Sequence, residues 1–239
     1  MAEHAVLLAA AGLHAFYGRA HILADVGFEI RRGEVVVLLG RNGAGKSTTM
    51  KSIMGLVRPT NGAITFDGAD ITAAPPHQIA RRGLGYVPED RRIFSDLTVM
   101  ENLEVGRQRP RPDAPEWTPE KLFEIFPNLA SMRSRAGGRM SGGEQQMLTI
   151  ARTLMGNPRL ILLDEPSEGL APVIVEQMAN AIVRLKKEGL TVLLSEQNLH
   201  FARLVSDRAY IIEKGRIRFQ GTMADLMDDD AVRAQYLSV

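Results

Sequence analysis

A glycine-rich segment with a lysine and two hydroxyl residues is the first part of the sequence that could do chemistry. Residues 40–48 read GRNGAGKST and match the pattern G-x-x-x-x-G-K-[ST], after an apolar strand and before a helix. Glycines let backbone N–H groups converge on phosphate oxygens, Lys46 supplies a charge for the β- and γ-phosphates, and Ser47 supplies a hydroxyl for Mg²⁺. We therefore predict a nucleotide site formed by Gly40, Asn42, Gly43, Ala44, Gly45, Lys46, Ser47 and Thr48.

Two carboxylates end a second apolar strand. The segment LILLDEP places Asp164 and Glu165 at the carboxyl end of this strand, the edge at which α/β sheets bind ligands. Asp164 is the predicted partner of Mg²⁺, and Glu165 can accept a proton from the water that attacks the γ-phosphate. Alone, the pair could be a solvated strand end. It follows a phosphate loop by more than a hundred residues, however, which favours the catalytic interpretation.

A third motif, RMSGGEQQ, precedes a predicted helix that runs to about Met155. One interpretation is structural: Ser141 caps the helix and Glu144 is its capping-box partner. Gly142 and Gly143, however, each destabilise the first helical turn by roughly 1 kcal/mol relative to alanine, which indicates that another group approaches the backbone closely. A phosphate fits that role. Because the phosphate loop already holds the chain's own nucleotide, we predict that these four residues contact a nucleotide bound to a neighbouring molecule.

Strands and helices alternate around these motifs. Strands are predicted at residues 35–39, 63–66, 84–87, 160–163, 191–195, 209–212 and 216–220, which indicates a mostly parallel sheet covered on both faces. Helices are predicted from Gly45 to about Leu56 and over residues 173–188. Between about residues 91 and 157 the pattern changes to helices without strands, with start signals at Thr98, Thr118 and Ser141. We expect a single domain, with a core at about residues 1–90 and 158–239 and a helical subdomain at about 91–157.

Composition excludes several classes of protein. The 239 residues include 29 Lys and Arg against 28 Asp and Glu, so neither a disordered chain nor a strongly basic nucleic-acid surface is indicated. The chain has no cysteine, which excludes disulfides and thiolate metal sites. Its longest apolar stretches are far shorter than the roughly 20 residues of a membrane span. The histidines are scattered, which argues against a zinc site: His4, His14, His21, His77 and His200.

Taken together, these motifs make the whole sequence resemble the ATP-binding subunits of ABC transporters. The resemblance rests on AFYGR, with Tyr17 where the family has an aromatic residue that stacks on adenine, and on GRNGAGKST (Walker A), MSGGEQ (signature), LILLDEP (Walker B) and SEGLAP (D-loop). It implies an α/β fold, namely a P-loop NTPase core with a mostly parallel sheet, an N-terminal antiparallel β subdomain and an inserted α-helical subdomain. It also implies ATP and Mg²⁺ as ligands, and head-to-tail dimers that enclose two ATP molecules.

Two positions depart from the usual pattern of that family. Where the family has a glutamine that touches Mg²⁺ and the membrane partner, this chain has Glu89 in YVPEDRRIF, which we interpret as a metal ligand and a link to a permease. Where the family has a histidine that contacts the γ-phosphate, this chain has Gln197, which can donate a hydrogen bond but cannot carry an imidazole's proton. His200 could substitute, the alternative being a surface histidine at a helix start. Arg91 and Arg92 are expected to face a permease helix.

The combination of VPEDRRIF, MSGGEQQML, DEPSEGLAP and SEQN is similar to the LivF-type ATPases of branched-chain amino acid importers. This resemblance implies a peripheral ATPase on the cytoplasmic face of the inner membrane, in a homodimer or in a heterodimer with a second such subunit. Its implied partners are integral-membrane permeases and, indirectly, a periplasmic solute-binding protein. Related subunits serve importers of urea, short amides or aromatic acids. A DNA-handling ATPase is the competing class, but the sequence has neither coiled-coil heptads nor a charge excess, so no nucleic-acid partner is expected.

Overall fold

The structure is a computed structural model and describes residues 5–237. Within this range the chain forms ten β-strands and ten α-helices. The strands are β1 (Val6–Tyr17), β2 (Ala20–Arg31), β3 (Val35–Leu39), β4 (Asn61–Phe66), β5 (Ala69–Asp70), β6 (Leu84–Val87), β7 (Leu160–Asp164), β8 (Thr191–Glu196), β9 (Arg208–Glu213) and β10 (Arg216–Thr222). The helices are α1 (Lys46–Ile53), α2 (Pro76–Arg81), α3 (Val99–Gly106), α4 (Pro119–Ile125), α5 (Pro127–Ala130), α6 (Gly142–Leu154), α7 (Pro172–Lys187), α8 (Leu199–Val205), α9 (Met223–Asp228) and α10 (Asp230–Tyr236).

The central sheet has six strands in the order β10-β9-β3-β8-β7-β6. All neighbouring pairs are parallel except β9 and β10. Strands β3, β7 and β8 are buried along their whole lengths, as expected for strands covered on both faces. The predicted mostly parallel, doubly covered sheet is therefore confirmed. Because the strands are parallel, the loops that follow them leave from one edge, where Leu39 pairs with Glu196 and Asp164 pairs with Ser195.

Alternate residues of the central strands point into two hydrophobic cores, because the side-chain period of a strand is two. Val35, Val37 and Leu39 of β3 belong to one core, which includes side chains of α3, α4, α6, α7 and α8. Val36 and Leu38 belong to the other core, which includes side chains of β1, β2, β4, α1 and α2. The sheet is thus a central layer that holds the loops at its carboxyl edge against packed elements on both sides.

The first part of the chain forms a separate antiparallel sheet in the order β2-β1-β4-β5, which confirms the antiparallel β subdomain implied by the resemblance. The β1–β2 hairpin brings His14 Nδ1 to 3.1 Å from His21 Nε2, and Phe16 stacks on His21 at 4.2 Å. These two histidines are separated in sequence but neighbours in the fold, because antiparallel pairing joins them; no group of three potential metal ligands forms among the described residues. His4 lies outside the described residues.

Residues 91–157 are all described and contain α3 to α6 with no strand beyond an isolated bridge, as predicted. Thr98, Thr118 and Ser141 cap their helices as the sequence indicated. Helix α1 ends at Ile53 rather than near Leu56, because Gly55 has φ of 69°, a left-handed conformation that ends a helix. The limits of the core and the helical subdomain stay a prediction. Among the described helices, none has the length and apolarity needed to cross a bilayer.

Candidate nucleotide-binding site

The phosphate loop connects the buried strand β3 to the first residue of α1, Lys46. Gly43 and Gly45 have φ of 79° and 115°, values that residues with a Cβ rarely adopt. A Cβ on Gly40 would collide with the carbonyl oxygen of Ile212. The loop therefore requires glycine at these positions, and it ends at a helix N-terminus, where backbone N–H groups bind phosphate.

The Lys46 side chain is buried and surrounded by oxygen atoms. Its Nζ donates to the carbonyl oxygens of Gly40 at 2.6 Å and Arg41 at 3.1 Å, and it lies 3.1 Å from Glu165 Oε1. Glu165 is 6% exposed, has φ of 47°, and its Oε2 is buried without a hydrogen-bond partner among the described residues. The predicted phosphate-binding lysine and the predicted general base thus neutralise each other, and a phosphate that attracts Lys46 would separate them.

Asp164 lies in a network of three hydroxyl donors. Its Oδ1 accepts from Ser47 at 3.0 Å and from Ser195 at 2.6 Å, and its Oδ2 accepts from Tyr86 at 3.1 Å. Burial, and then the Asp164 charge, raise the pKa of Tyr86, so its phenol remains a hydrogen-bond donor. Ser47 and Asp164 present the oxygen atoms that Mg²⁺ prefers, so this donor set fits the metal.

Two members of this network were missed from the sequence. Tyr86 lies in β6 and Ser195 in β8, and these strands flank β7, which ends in Asp164. The signal available in the sequence was a polar residue near the carboxyl end of each apolar strand. Choosing among such residues requires the strand order, which the sequence pattern does not provide.

A cavity of about 360 Å³ opens beside these groups. It is lined by Tyr17, Ile22, Asn42, Gly43, Gly45, Lys46, Ser47, Thr48, Glu89, Glu165 and Glu168. Most of the predicted phosphate-loop residues therefore share one cavity with Tyr17, Glu89 and Glu165. Glu168 was not predicted; the adjacent Glu165 carboxylate, then partial burial and the other neighbouring carboxylates, raise the pKa of Glu168 to about 7.

Gln197 lies next to this cavity rather than in it. It is exposed immediately after β8 and lines a second cavity of about 340 Å³ with Leu237 and three phosphate-loop residues, Gly40, Arg41 and Asn42. His200 is exposed in the first turn of α8, as the surface alternative anticipated, and it belongs to the lining of neither cavity. The geometry therefore places Gln197, and not His200, beside the phosphate loop.

The signature residues are not part of the lining of either cavity. Ser141 caps α6 through a complete capping box: its backbone N–H donates to Glu144 Oε2 at 2.7 Å, and its Oγ accepts from the Glu144 backbone N–H at 3.4 Å. The structural interpretation of this pair is therefore confirmed. It does not compete with nucleotide binding, because the exposed Ser141 remains accessible.

The two signature glycines have close contacts within the chain. The Arg91 guanidinium occupies the space that a Cβ on Gly142 would need, and Ile174 lies against Gly143. The close approach predicted at these glycines is thus accounted for by the chain's own side chains. Contact with a partner's nucleotide stays a prediction. Arg91 is half-buried over the signature, whereas Arg92 is exposed and paired with Asp90 at 2.8 Å.

Comparison with known proteins identifies the family. Residues 23–168, more than half of the chain, match the family described as ABC transporter. The chain belongs to the ABC transporter family. It is 45% identical over 222 residues to the high-affinity branched-chain amino acid transport ATP-binding protein BraG of Pseudomonas aeruginosa, covering 93% of this chain and 95% of BraG. It is also 39% identical to the lipopolysaccharide export system ATP-binding protein LptB of Haemophilus influenzae, covering 97% of both chains.

A solved structure of the same family supports the fold. The ADP conformation of MJ1267, an ATP-binding cassette of an ABC transporter, superimposes with a TM-score of 0.81 and 27% identity, covering 96% of this chain and 98% of that one. The fold class and the resemblance to ABC transporter ATPases are confirmed. This ABC ATPase binds and hydrolyses ATP, and its Walker A and Walker B residues meet at one edge of the central sheet.

Proposed function

We propose that this ABC ATPase powers the import of branched-chain, hydrophobic amino acids. The observation that carries the proposal is the 45% identity to BraG over 93% of the chain. The 39% identity to LptB makes an export system the second candidate. Importers of urea, short amides or aromatic acids are further alternatives, because an ATPase subunit does not touch the transported solute.

Hydrolysis is assigned to the groups around the Walker motifs. Lys46 binds the β- and γ-phosphates, and Ser47 and Asp164 hold Mg²⁺, which when bound neutralises phosphate charge. Glu165 accepts the proton of the attacking water. The burial of Lys46, Asp164 and Glu165 supports this assignment, because charges stabilise a transition state more strongly where water is excluded.

Residues at the rim of the cavity are assigned to orienting the bound ATP and its Mg²⁺. Tyr17, which is 49% exposed at the end of β1, stacks on adenine. Glu89 contributes a carboxylate to Mg²⁺, and Gln197 donates a hydrogen bond to the γ-phosphate. Their positions in or beside the cavity support these roles.

We further propose that two subunits act together, as a homodimer or a heterodimer, with two ATP molecules between them. In this arrangement the phosphate loop of one subunit faces the signature of the other, so that Ser141, Gly142, Gly143 and Glu144 contact the partner's ATP. The proposal is supported by the exposure of Ser141 and by its absence from the lining of the two cavities beside its own phosphate loop.

A groove of about 920 Å³ supports docking of a permease at the cytoplasmic face of the inner membrane. Its lining includes three exposed apolar side chains, Leu56, Phe94 and Val105. The charged residues among its lining are all basic: Arg81, Arg109, Arg111 and Arg152. Apolar contact and this charge fit a permease segment that carries apolar and acidic side chains.

Docking in this groove is tested by placing a negative charge in it. Phe94→Asp should abolish co-purification with the permease pair while basal ATPase of the isolated subunit stays unchanged. Leu204→Asp is the matched control, because Leu204 is similarly exposed but lies on α8. Equal permease binding by both variants would rule out the groove.

The solute is tested by reconstitution with the permeases and binding protein encoded by neighbouring genes. ATP-dependent uptake of labelled leucine, isoleucine and valine is expected, with urea, short amides and aromatic acids as competitors. Complexes with Glu165→Gln supply the matched control without hydrolysis. Uptake of another solute class, or outward movement of a lipid, would overturn the assignment while leaving the ATPase assignment intact.

A further inference from the structure

Glu196 ends strand β8 and is buried, with 1% of its surface exposed. Its Oε1 accepts the backbone N–H of Ser167 at 3.0 Å, and its Oε2 accepts the backbone N–H of Asn198 at 3.3 Å. Its carbonyl oxygen accepts the backbone N–H of Gly40 at 3.2 Å. Glu196 therefore accepts hydrogen bonds from three separate stretches of backbone.

Each of these stretches leads to a group already placed in the ATPase site. Gly40 begins the phosphate loop that carries Lys46, and Ser167 lies two residues after Glu165. Asn198 follows Gln197, so the backbone of Gln197 is held between the Glu196 carbonyl and the Asn198 N–H. We propose that Glu196 is a positioning residue, which sets Glu165 and Gln197 relative to the phosphate loop for ATP hydrolysis.

The chemistry of the two contacts requires a carboxylate. Two backbone N–H groups point at one side chain, and an ionised carboxylate can accept from both because it has two acceptor oxygens. A glutamine at the same place has one acceptor oxygen, and its NH₂ group faces the second N–H donor. Loss of one such contact leaves a buried donor unsatisfied, so the two loops would no longer be held together.

The surroundings of the Glu196 side chain disfavour its charged form. Burial, opposed by the N–H donors of Ser167 and Asn198 but reinforced by the charge of Glu165, raises the pKa of Glu196 to about 6. Glu168 adds a second carboxylate on the same loop after β7. Among the described residues no lysine or arginine pairs with Glu196. A group in this environment is neutralised readily on acidification, which gives the proposal a direct spectroscopic test.

The first experiment follows backbone amides of the full 239-residue chain by NMR. In the wild type, the amide shifts of Ser167 and Asn198 should titrate together with a midpoint near pH 6. In Glu196→Gln this titration should disappear from the Asn198 amide, and the Ser167 amide should retain only its response to the adjacent Glu168. In Glu213→Gln both amides should titrate as in the wild type. Glu213 is the matched control, because it ends the parallel strand β9 but pairs with Arg218 at 3.4 Å.

The second experiment measures ATP turnover and binding in the same proteins. Small misplacement of catalytic groups can cost about 100-fold in rate, so Glu196→Gln should lower kcat by about 10- to 100-fold. KM and the Kd for ATP should stay within about twofold, because the phosphate loop and Tyr17 are intact. Glu196→Asp, which retains both acceptors on a shorter side chain, should recover part of the kcat.

The outcomes separate this inference, which rests on the proposed hydrolytic roles, from those roles themselves. Wild-type kcat in Glu196→Gln overturns the inference. So does a titration of the Ser167 and Asn198 amides in Glu196→Gln that is unchanged from the wild type. A parallel loss of kcat, ATP binding and thermal stability in both Gln and Asp variants also overturns it, because that pattern indicates general unfolding. If the amide titration is found but Glu165→Gln turns over normally, the geometry holds and the proposed catalytic role of Glu165 fails.

Discussion

The buried Lys46–Glu165 pair gives a quantitative prediction for the nucleotide-free protein. Replacing Lys46 with alanine leaves the Glu165 carboxylate, 6% exposed, without its cationic partner, and the remaining neighbour Glu168 is itself an acid. Breaking a buried ion pair on one side costs about 3–5 kcal/mol. In a domain of this size each kcal/mol lowers Tm by about 2–4 °C, so Lys46→Ala should lower Tm by about 6–20 °C.

Replacing Glu165, the other member of the ion pair, should cost less stability than replacing Lys46, and the difference between the two losses is the test. In Glu165→Gln, Lys46 keeps the carbonyl oxygens of Gly40 and Arg41 at 2.6 and 3.1 Å, so the loss should be about 1–3 kcal/mol. The double variant Lys46→Ala/Glu165→Gln should recover at least half of the Lys46→Ala loss. Urea unfolding of the four proteins without nucleotide measures this cycle. Additive losses would refute the reasoning, because they would show that the two charges do not depend on each other.

Three further predictions concern turnover, the dimer and pH. Glu165→Gln should retain ATP but lower kcat by about 10²- to 10⁴-fold in a phosphate-release assay, and normal turnover would remove Glu165 as the base. A mixture of inactive Lys46→Ala and Ser141→Arg subunits should regain some activity, because one composite site of a mixed dimer carries both lesions and the other neither; heterodimers that stay fully inactive would argue against action across the dimer. Glu168 has a pKa raised from 4.5 to about 7, so the folded state binds its proton more tightly and loses stability as pH rises through that range. Glu168→Gln should therefore flatten the fall in Tm between pH 4.5 and 7, and an unchanged slope would contradict the assignment.

Much of the fold could be predicted because its signals are local. Strands β3, β7 and β8 are short apolar runs with polar or glycine-rich segments at their ends, and the structure places them where the sequence indicated. The capping boxes at Thr98 and Ser141 were equally visible, because a cap depends on residues only three positions apart. The meeting of Ser47 with Asp164 followed from the rule that parallel strands present their carboxyl ends at one edge.

The remaining contacts of the site depend on strand order, which is not a local property. Strand β8 lies between β3 and β7 although it follows both in the sequence, and this crossover brings Ser195 to Asp164 and Glu196 to Ser167. Tyr86 reaches Asp164 for the same reason, from the other side of β7. The signature glycines show another non-local contact: the sequence suggested a phosphate as the group that approaches them, and the structure adds Arg91 of the same chain as a further reason for the small residue at Gly142.

One short segment joins the cavity to the groove and is the proposed route of coupling between them. Glu89 lines the ATP cavity, and Phe94 lines the groove five residues later. Between them Arg91 and Arg92 have φ of 61° and 45°, a conformation that costs of order 1 kcal/mol or more per residue and persists only where neighbours enforce it. Arg152 of α6 enforces it by donating to the carbonyl oxygen of Arg92 at 2.6 Å while its guanidinium lies 4.9 Å from the Phe94 ring centre. Because the segment is strained and hydrogen-bonded to α6, we expect a nucleotide that displaces Glu89 to shift either Phe94 in the groove or α6, which begins at the signature.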